Sequence, residues 1–195
     1  MIRILLTLMC LLGLVASAQA QPTACDLLAA HPSDPDKITE GVSTAVVSED
    51  LDTAIAVCRS DLARDPQNPR LGYYLGRVLF YKQEFAEGRK YIEAAAAKDH
   101  RQAQFVAGLI TNRDPDDGIC RAGSLWLDSA RGGHYGATVS LVQKYLAGEY
   151  EGCDMTLNSG ELKGLLDNVR DHEYAKEYYN RVLIAALDAG FAARE

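Results

Sequence analysis

Four histidines, His31, His100, His134 and His172, are the first places to look for chemistry. Imidazole can ligate a metal or act as a general base, but ligand sets come as i, i+3 or i+4 pairs, or with tight Cys/His spacing. These four are scattered along the chain without such a pair, so no metal site is expected. Their expected place is at helix ends, bonding free carbonyls. The acidic stretch NRDPDDG (112–118) has the charge of a calcium loop but not its pattern. Pro115 and Arg113 stand two and four residues before Asp117, and Ser124 occupies the place of the bidentate glutamate. It reads as a turn in which Asp117 caps the following helix. RGGHYG (131–136) follows a helix pattern rather than a strand and matches no phosphate-binding fingerprint. Nucleophile motifs fail as well: there is no G-x-S-x-G, and the Ser33/Lys37 and Ser159/Lys163 pairs are each one residue too wide for S-x-x-K. No catalytic residue and no cofactor are expected.

The cysteines carry a different chemistry. Residues 1–20, MIRILLTLMCLLGLVASAQA, combine one early cation (Arg3), an apolar run and an Ala-Gln-Ala triplet. That is the pattern of a secretory signal peptide cleaved after Ala20, too short for a membrane span. Cys10 lies inside the apolar run behind Leu8 and Met9, which a lipid-attachment box does not allow. Four cysteines remain, Cys25, Cys58, Cys120 and Cys153, and an even count in an exported chain argues for two disulfides. Three pairings are open. Cys25 to Cys58 and Cys120 to Cys153 share one separation, 33 residues, which favours those two. A net charge of −7 makes nucleic acid and anionic lipid poor partners, since both need clustered Lys/Arg. The expected location is the periplasm or the medium.

That separation is close to an internal period. Shifted by about 34 residues, the segments 51–69, 85–103 and 119–137 align. Leu51, Phe85 and Ile119 are bulky, whereas Ala54, Gly88 and Ala122 are small. Cys58, Ile92 and Trp126 are core-seeking, and Leu62, Ala96 and Ala130 are apolar. Steps of three and four residues put each set on one helix face. Pro66, His100 and His134 fall in the turn that follows. Second helices are expected over 69–80, about 102–111 and about 136–147. Within them Gly76 and Gly108 would each cost stability unless a neighbouring helix comes close.

DPQNPRLGYYLGRVLFYKQEFAEGRKYIEAAAAKD (65–99) resembles a tetratricopeptide repeat, with its Leu-Gly pair, aromatic Phe85, small Gly88 and Ala-rich end. AQFVAGLI (103–110) with RAGSLWLDSARGGHYGA (121–137) is similar to the Sel-one-like repeat, and the likeness covers about 50–150. Gly72 stands where the tetratricopeptide pattern prefers a large aromatic, and NRDPDDG replaces the usual glycine-rich loop. The resemblance implies an all-α, right-handed α-solenoid of antiparallel helix pairs that binds a protein or peptide in its concave groove. It places Arg70, Tyr73, Arg77 and Tyr81, then Gln102 and Phe105, then Gln143, on that groove. Arg70 and Arg77 would meet acidic groups, and Tyr73, Tyr81 and Phe105 would give apolar contact. It also brings secreted cysteine-rich relatives with penicillin-binding or β-lactamase-like activity. Against that activity stand the long cysteine spacing and the missing serine motif. A self-associating envelope assembly factor is a third reading.

The flanks do not repeat. Residues 21–50 read as an N-terminal cap held by Cys25, residues 51–150 as the repeats, and 151–195 as closing helices. On the last helix, expected over 172–190, Tyr174, Tyr178, Val182 and Ala185 share a face that should seal the end, with Tyr179, Leu183 and Leu187 beside it.

Overall fold

A computed structural model describes residues 21–194, so the expected signal peptide lies outside the described residues. The described chain is all-helical, with no strand. The helices run α1 (Ala24–Ala29), α2 (Thr44–Val47), α3 (Leu51–Arg64), α4 (Pro69–Tyr81), α5 (Phe85–Ala96), α6 (Arg101–Thr111), α7 (Gly118–Arg131), α8 (Tyr135–Leu146), α9 (Ser159–Asn168) and α10 (Tyr178–Ala192). A single 3-10 turn, Glu173–Lys176, precedes α10. Starts are written in the sequence. Asp50 accepts the Thr53 amide at the head of α3, and Asn68 accepts those of Arg70 and Leu71 at α4, where Pro69 occupies the first turn.

From α3 to α8 each helix packs on the next in chain order. Close approach depends on the glycines of α4 and α6. A Cβ on Gly76 would lie 2.7 Å from Ile92 Cγ1 and 2.9 Å from the Gly88 carbonyl oxygen, so α4 and α5 meet almost backbone to backbone. On α6, a Cβ at Gly108 would lie 2.6 Å from Trp126 Cδ1 of α7. The indole is buried there and donates Nε1–H to the Phe105 carbonyl at 3.1 Å. Gly76→Ala should therefore lower stability by about 2 kcal/mol, because the backbone oxygen opposite cannot move aside and overpacking outweighs the roughly 1 kcal/mol gain in helix propensity. Urea unfolding checks this; a more stable alanine protein would show that α4 and α5 have slack.

Both favoured disulfides are present. Cys25–Cys58 ties α1 to α3, and Cys120–Cys153 ties α7 to the segment after α8. Such bonds belong to an oxidising, non-cytoplasmic compartment. Among the described residues no helix is long and apolar enough to cross a membrane.

Two expectations are corrected here. Asp117 stands at the N-cap position of α7, but its left-handed backbone (φ 45°) replaces the extended one that a cap uses, and its side chain makes no cap bond. Asp114 is the turn carboxylate that forms bonds, a two-pronged pair with Arg89 of α5 at 2.6 and 2.9 Å. At the C-terminus, Tyr174 lies on the 3-10 turn rather than on the last helix. Helix α10 packs on α8 and α9 through Ile184, Leu187 and Phe191, leaving Tyr178, Tyr179 and Val182 exposed. The helix starts six residues later than expected, and of the residues expected on its sealing stripe Leu187 is buried and Leu183 half-buried, while Ala185 faces solvent with the two tyrosines and Val182.

Candidate functional site

Helix α1 and the segment that joins it to α2 run across α4 and α6 and are held by arginines from the repeats. Arg70 of α4 grips the buried Asp26 with Nε and Nη2 at 2.6 and 3.2 Å. Burial pushes the Asp26 carboxyl up, but the bonds and charge of Arg70 and the Thr23 amide more than offset it and hold it below the usual range. Arg77, also buried, donates Nη1–H to the carbonyls of Ala29 and Ala30 at 2.8 Å and Nη2–H to that of Val42 at 2.7 Å. Its Nε–H reaches the Tyr81 hydroxyl at 3.0 Å, and its guanidinium lies over that ring. Arg101, at the start of α6, clasps Asp36 and the Pro35 carbonyl. The chain's own N-terminal segment thus occupies the acceptors' side of the face expected to be free for a partner.

A cavity of about 430 Å³ remains beside it. Tyr73, Arg77 and Tyr81 of α4 and Gln102 and Phe105 of α6 all line it, so five of the residues expected on the groove converge. Arg70 does not reach it, being engaged by Asp26, and Gln143 is exposed on α8 away from it. The remaining walls come from both flanks: His31 and Ser33 from the N-terminal segment, His134 and Tyr135 from the head of α8, and His172 and Tyr174 from the 3-10 turn. Ser33 Oγ and the Tyr174 hydroxyl meet at 2.7 Å, closing one rim across 141 residues of chain. The walls are mostly rings. Phe105 packs on His134 with centroids 4.7 Å apart, Tyr135 on His172 at 5.6 Å, and His172 on Tyr174 at 5.1 Å.

Three of the histidines stand at helix ends as expected, but the bonding is the reverse of the expected one. All four accept a backbone amide on Nδ1 instead of bonding carbonyls: His31 from Ser33 (3.0 Å), His100 from Ala103 (3.2 Å), His134 from Ala137 (3.1 Å) and His172 from Tyr174 (3.3 Å). His100 and His134 are the N-caps of α6 and α8, each preceded by a left-handed residue, Asp99 (φ 61°) or Gly133 (φ 83°), so the repeat reproduces a whole cap. A ring that accepts on Nδ1 while neutral carries its proton on Nε2. In His134 that proton goes to Gln102 Oε1 at 2.8 Å.

No family model, curated protein or solved structure matches this chain.

Asp34, Asp36 and His100 bring one ligand-type atom each within 4.8 Å of the others. The arrangement is poor for a cation. His100 Nε2 would have to be bare to ligate, but its Nδ1 already spends its lone pair on the Ala103 amide. Asp36 is saturated by Arg101, whose backbone amide and guanidinium take both its oxygens. His100 Nε2 and Asp34 Oδ2 approach to 3.4 Å, both buried and neither with a hydrogen-bond partner.

Burial pushes the His134 pKa down to about 4, with Arg101 and His172 adding to the effect against the opposing pull of Asp34. His31 is also lowered to about 4, by burial first and the charge of Arg77 second. Both rings are neutral at ordinary pH and act as N–H donors. Sequence reasoning did not assign His31, Tyr135, His172 or Tyr174 to the site. A usable signal existed in the His-Tyr of 134–135 and the His-x-Tyr of 172–174, where an imidazole cap is followed by a phenol.

Proposed function

We propose that this chain is an exported, non-catalytic binding protein, active in the periplasm or outside the cell. Its helix pairs form a right-handed α-solenoid of the tetratricopeptide and Sel-one-like kind, and its concave face recognises a protein partner. Support for the repeat comes from the recurring period, the chain-order packing of α3 to α8 and the duplicated histidine cap. The observation that carries the binding role is the convergence of Tyr73, Arg77, Tyr81, Gln102 and Phe105 on one aromatic cavity, bounded by groups from both ends of the chain. Aromatic side chains around a partly desolvated hollow are the usual anchors of recognition.

The test is capture of envelope proteins on the purified protein, beside a Phe105→Ala/Leu109→Ala variant. Phe105 and Leu109 line the cavity on α6 and neither is fully buried, so this variant should fold. A partner held by the wild type is expected to be lost at least tenfold. Equal capture by both proteins would remove the concave face from the function.

A further inference from the structure

Helix α10 carries apolar residues on two opposite sides. Its inward side, Ile184, Leu187 and Phe191, is buried on α8 and α9. The solvated side of such a helix is ordinarily polar, and the last unit of a stacked helical array needs a polar outer face to stay dissolved. Here the outward positions are Tyr178, Tyr179 and Val182, exposed by 65%, 83% and 52%, followed along the same stripe by the exposed Ala185, Ala189 and Ala192. The two tyrosine rings meet edge to face with centroids 5.3 Å apart, which makes them a ridge at the head of the helix. Charge is confined to one flank of the stripe, where Arg181 precedes Ala185 and Asp188 follows it. Those two and Ala185 border a shallow hollow of about 340 Å³ over Ile184. An exposed apolar stripe rimmed by charge marks an interaction surface.

We infer that α10 is the contact of a reversible homodimer, in which the stripes of two copies of this chain pack antiparallel about a twofold axis at Ala185. A twofold contact must be complementary to itself. This stripe is bulky before Ala185 and small after it, so antiparallel pairing lays the tyrosine ridge of each chain on the alanine end of the other. The charges agree with the shape. Across such an axis each flank meets the same flank of the second copy, which sets Arg181 of one chain against Asp188 of the other. Arg181 is exposed, and Asp188, although paired with Arg170, remains half-exposed. Parallel pairing would instead set tyrosine on tyrosine and arginine on arginine. A membrane surface would call for Lys and Arg along both flanks, whereas this stripe has one cation and one acid on a single flank. With roughly 150–250 Å² for a whole aromatic side chain, the stripe offers about 500 Å² per chain. The pair then sits near the lower limit of about 1,000 Å² for a specific interface, and a dissociation constant of roughly 10–100 μM is expected. Asn180 lines the aromatic cavity from the opposite side of α10, so pairing leaves both cavities open and gives the assembly two of them. The dimer does not depend on what the cavity binds.

The experiment is sedimentation velocity of the purified protein at concentrations up to about 300 μM, well above the expected dissociation constant. A concentration-dependent shift from monomer to dimer is expected. Val182→Glu puts a carboxylate beside the axis at an exposed position and should weaken the dimer at least tenfold with unchanged melting. Arg181→Glu, also at an exposed position, sets acid against Asp188 at both ends of the contact and should weaken it at least fivefold. Cysteine cross-linking under mild oxidation reads the orientation. Ala185→Cys should link to its own copy, and Tyr178→Cys should not, whereas a mixture of Tyr178→Cys and Ala192→Cys chains should link to each other. A protein that stays monomeric throughout overturns the inference, as does a dimer that Val182→Glu leaves intact. Self-linking of Tyr178→Cys as fast as that of Ala185→Cys overturns the antiparallel arrangement and with it the proposal. Flotation of a monomeric wild type with phosphatidylcholine vesicles, lost in Val182→Glu, would assign the stripe to lipid and overturn the dimer as well.

Discussion

Arg77→Met is expected to lower the melting temperature by about 10 °C or more, for a loss of roughly 3–5 kcal/mol in a chain of this size. The methionine keeps the aliphatic stem but leaves the carbonyls of Ala29, Ala30 and Val42 facing a buried apolar group. An unmade hydrogen bond to a buried carbonyl costs on the order of 1–3 kcal/mol, and three are lost together. The effect should be local first: the segment between α1 and α2 loses its central anchor while Cys25–Cys58 still tethers its start. Limited proteolysis within 31–43 should then accelerate at least tenfold, well below the global melt. A melting change under 2 °C would mean the three carbonyls find other donors and the N-terminal segment does not depend on Arg77. One consequence concerns design: charge reversal at Arg77 tests folding, so groove variants belong at Phe105 and Leu109.

The second large effect is a loss of stability in mild acid. His134 has a folded pKa of about 4 against 6.5 for a free imidazole. As pH falls below 6.5 the unfolded chain takes up the proton before the folded chain does, so the equilibrium moves toward unfolding. The stabilisation is complete above pH 6.5, declines by about 1.4 kcal/mol per pH unit and is spent near pH 4, for a total of about 3 kcal/mol. His31, lowered in the same direction, steepens the same window by a smaller amount because it is partly open to solvent. Asp26 and Asp36 have depressed pKa values, so their contributions are lost only at still lower pH and do not blur the window. His134→Asn keeps a side-chain oxygen for the Ala137 amide and removes the titration. Urea unfolding from pH 7 to 4.5 should fall more steeply for the wild type than for this variant. Parallel curves would show that His134 titrates normally in the folded protein.

Local chemistry determined much of this protein before any packing was known. The three-and-four spacing of Ala54, Cys58 and Leu62, and its recurrence through Trp126 and Ala130, dictates helices because a helix brings those positions onto one face. Gly76 and Gly108 announced close helix crossings, since nothing else offsets their cost in a helix interior. The equal cysteine separations matched the period and favoured the bridges that formed. Each of these features repeats with the period or lies within one repeat of it. The site was only half legible for the opposite reason. Tyr73, Arg77, Tyr81, Gln102 and Phe105 lie on two helices of the repeats, where the likeness to known repeats could place them, whereas His31, Tyr135, His172 and Tyr174 reach the same cavity from loops and helix ends far apart in the chain. Which arginines are free and which are taken, Arg70 by Asp26 and Arg77 by three carbonyls, depends on where residues 24–42 lie across α4. That path is set by long-range hydrogen bonds between unlike segments, and they leave no period in the sequence. The histidines show both halves at once. Their place at helix ends is local, but which nitrogen accepts, and what the other faces, was decided by the neighbours that the tertiary fold brought to them.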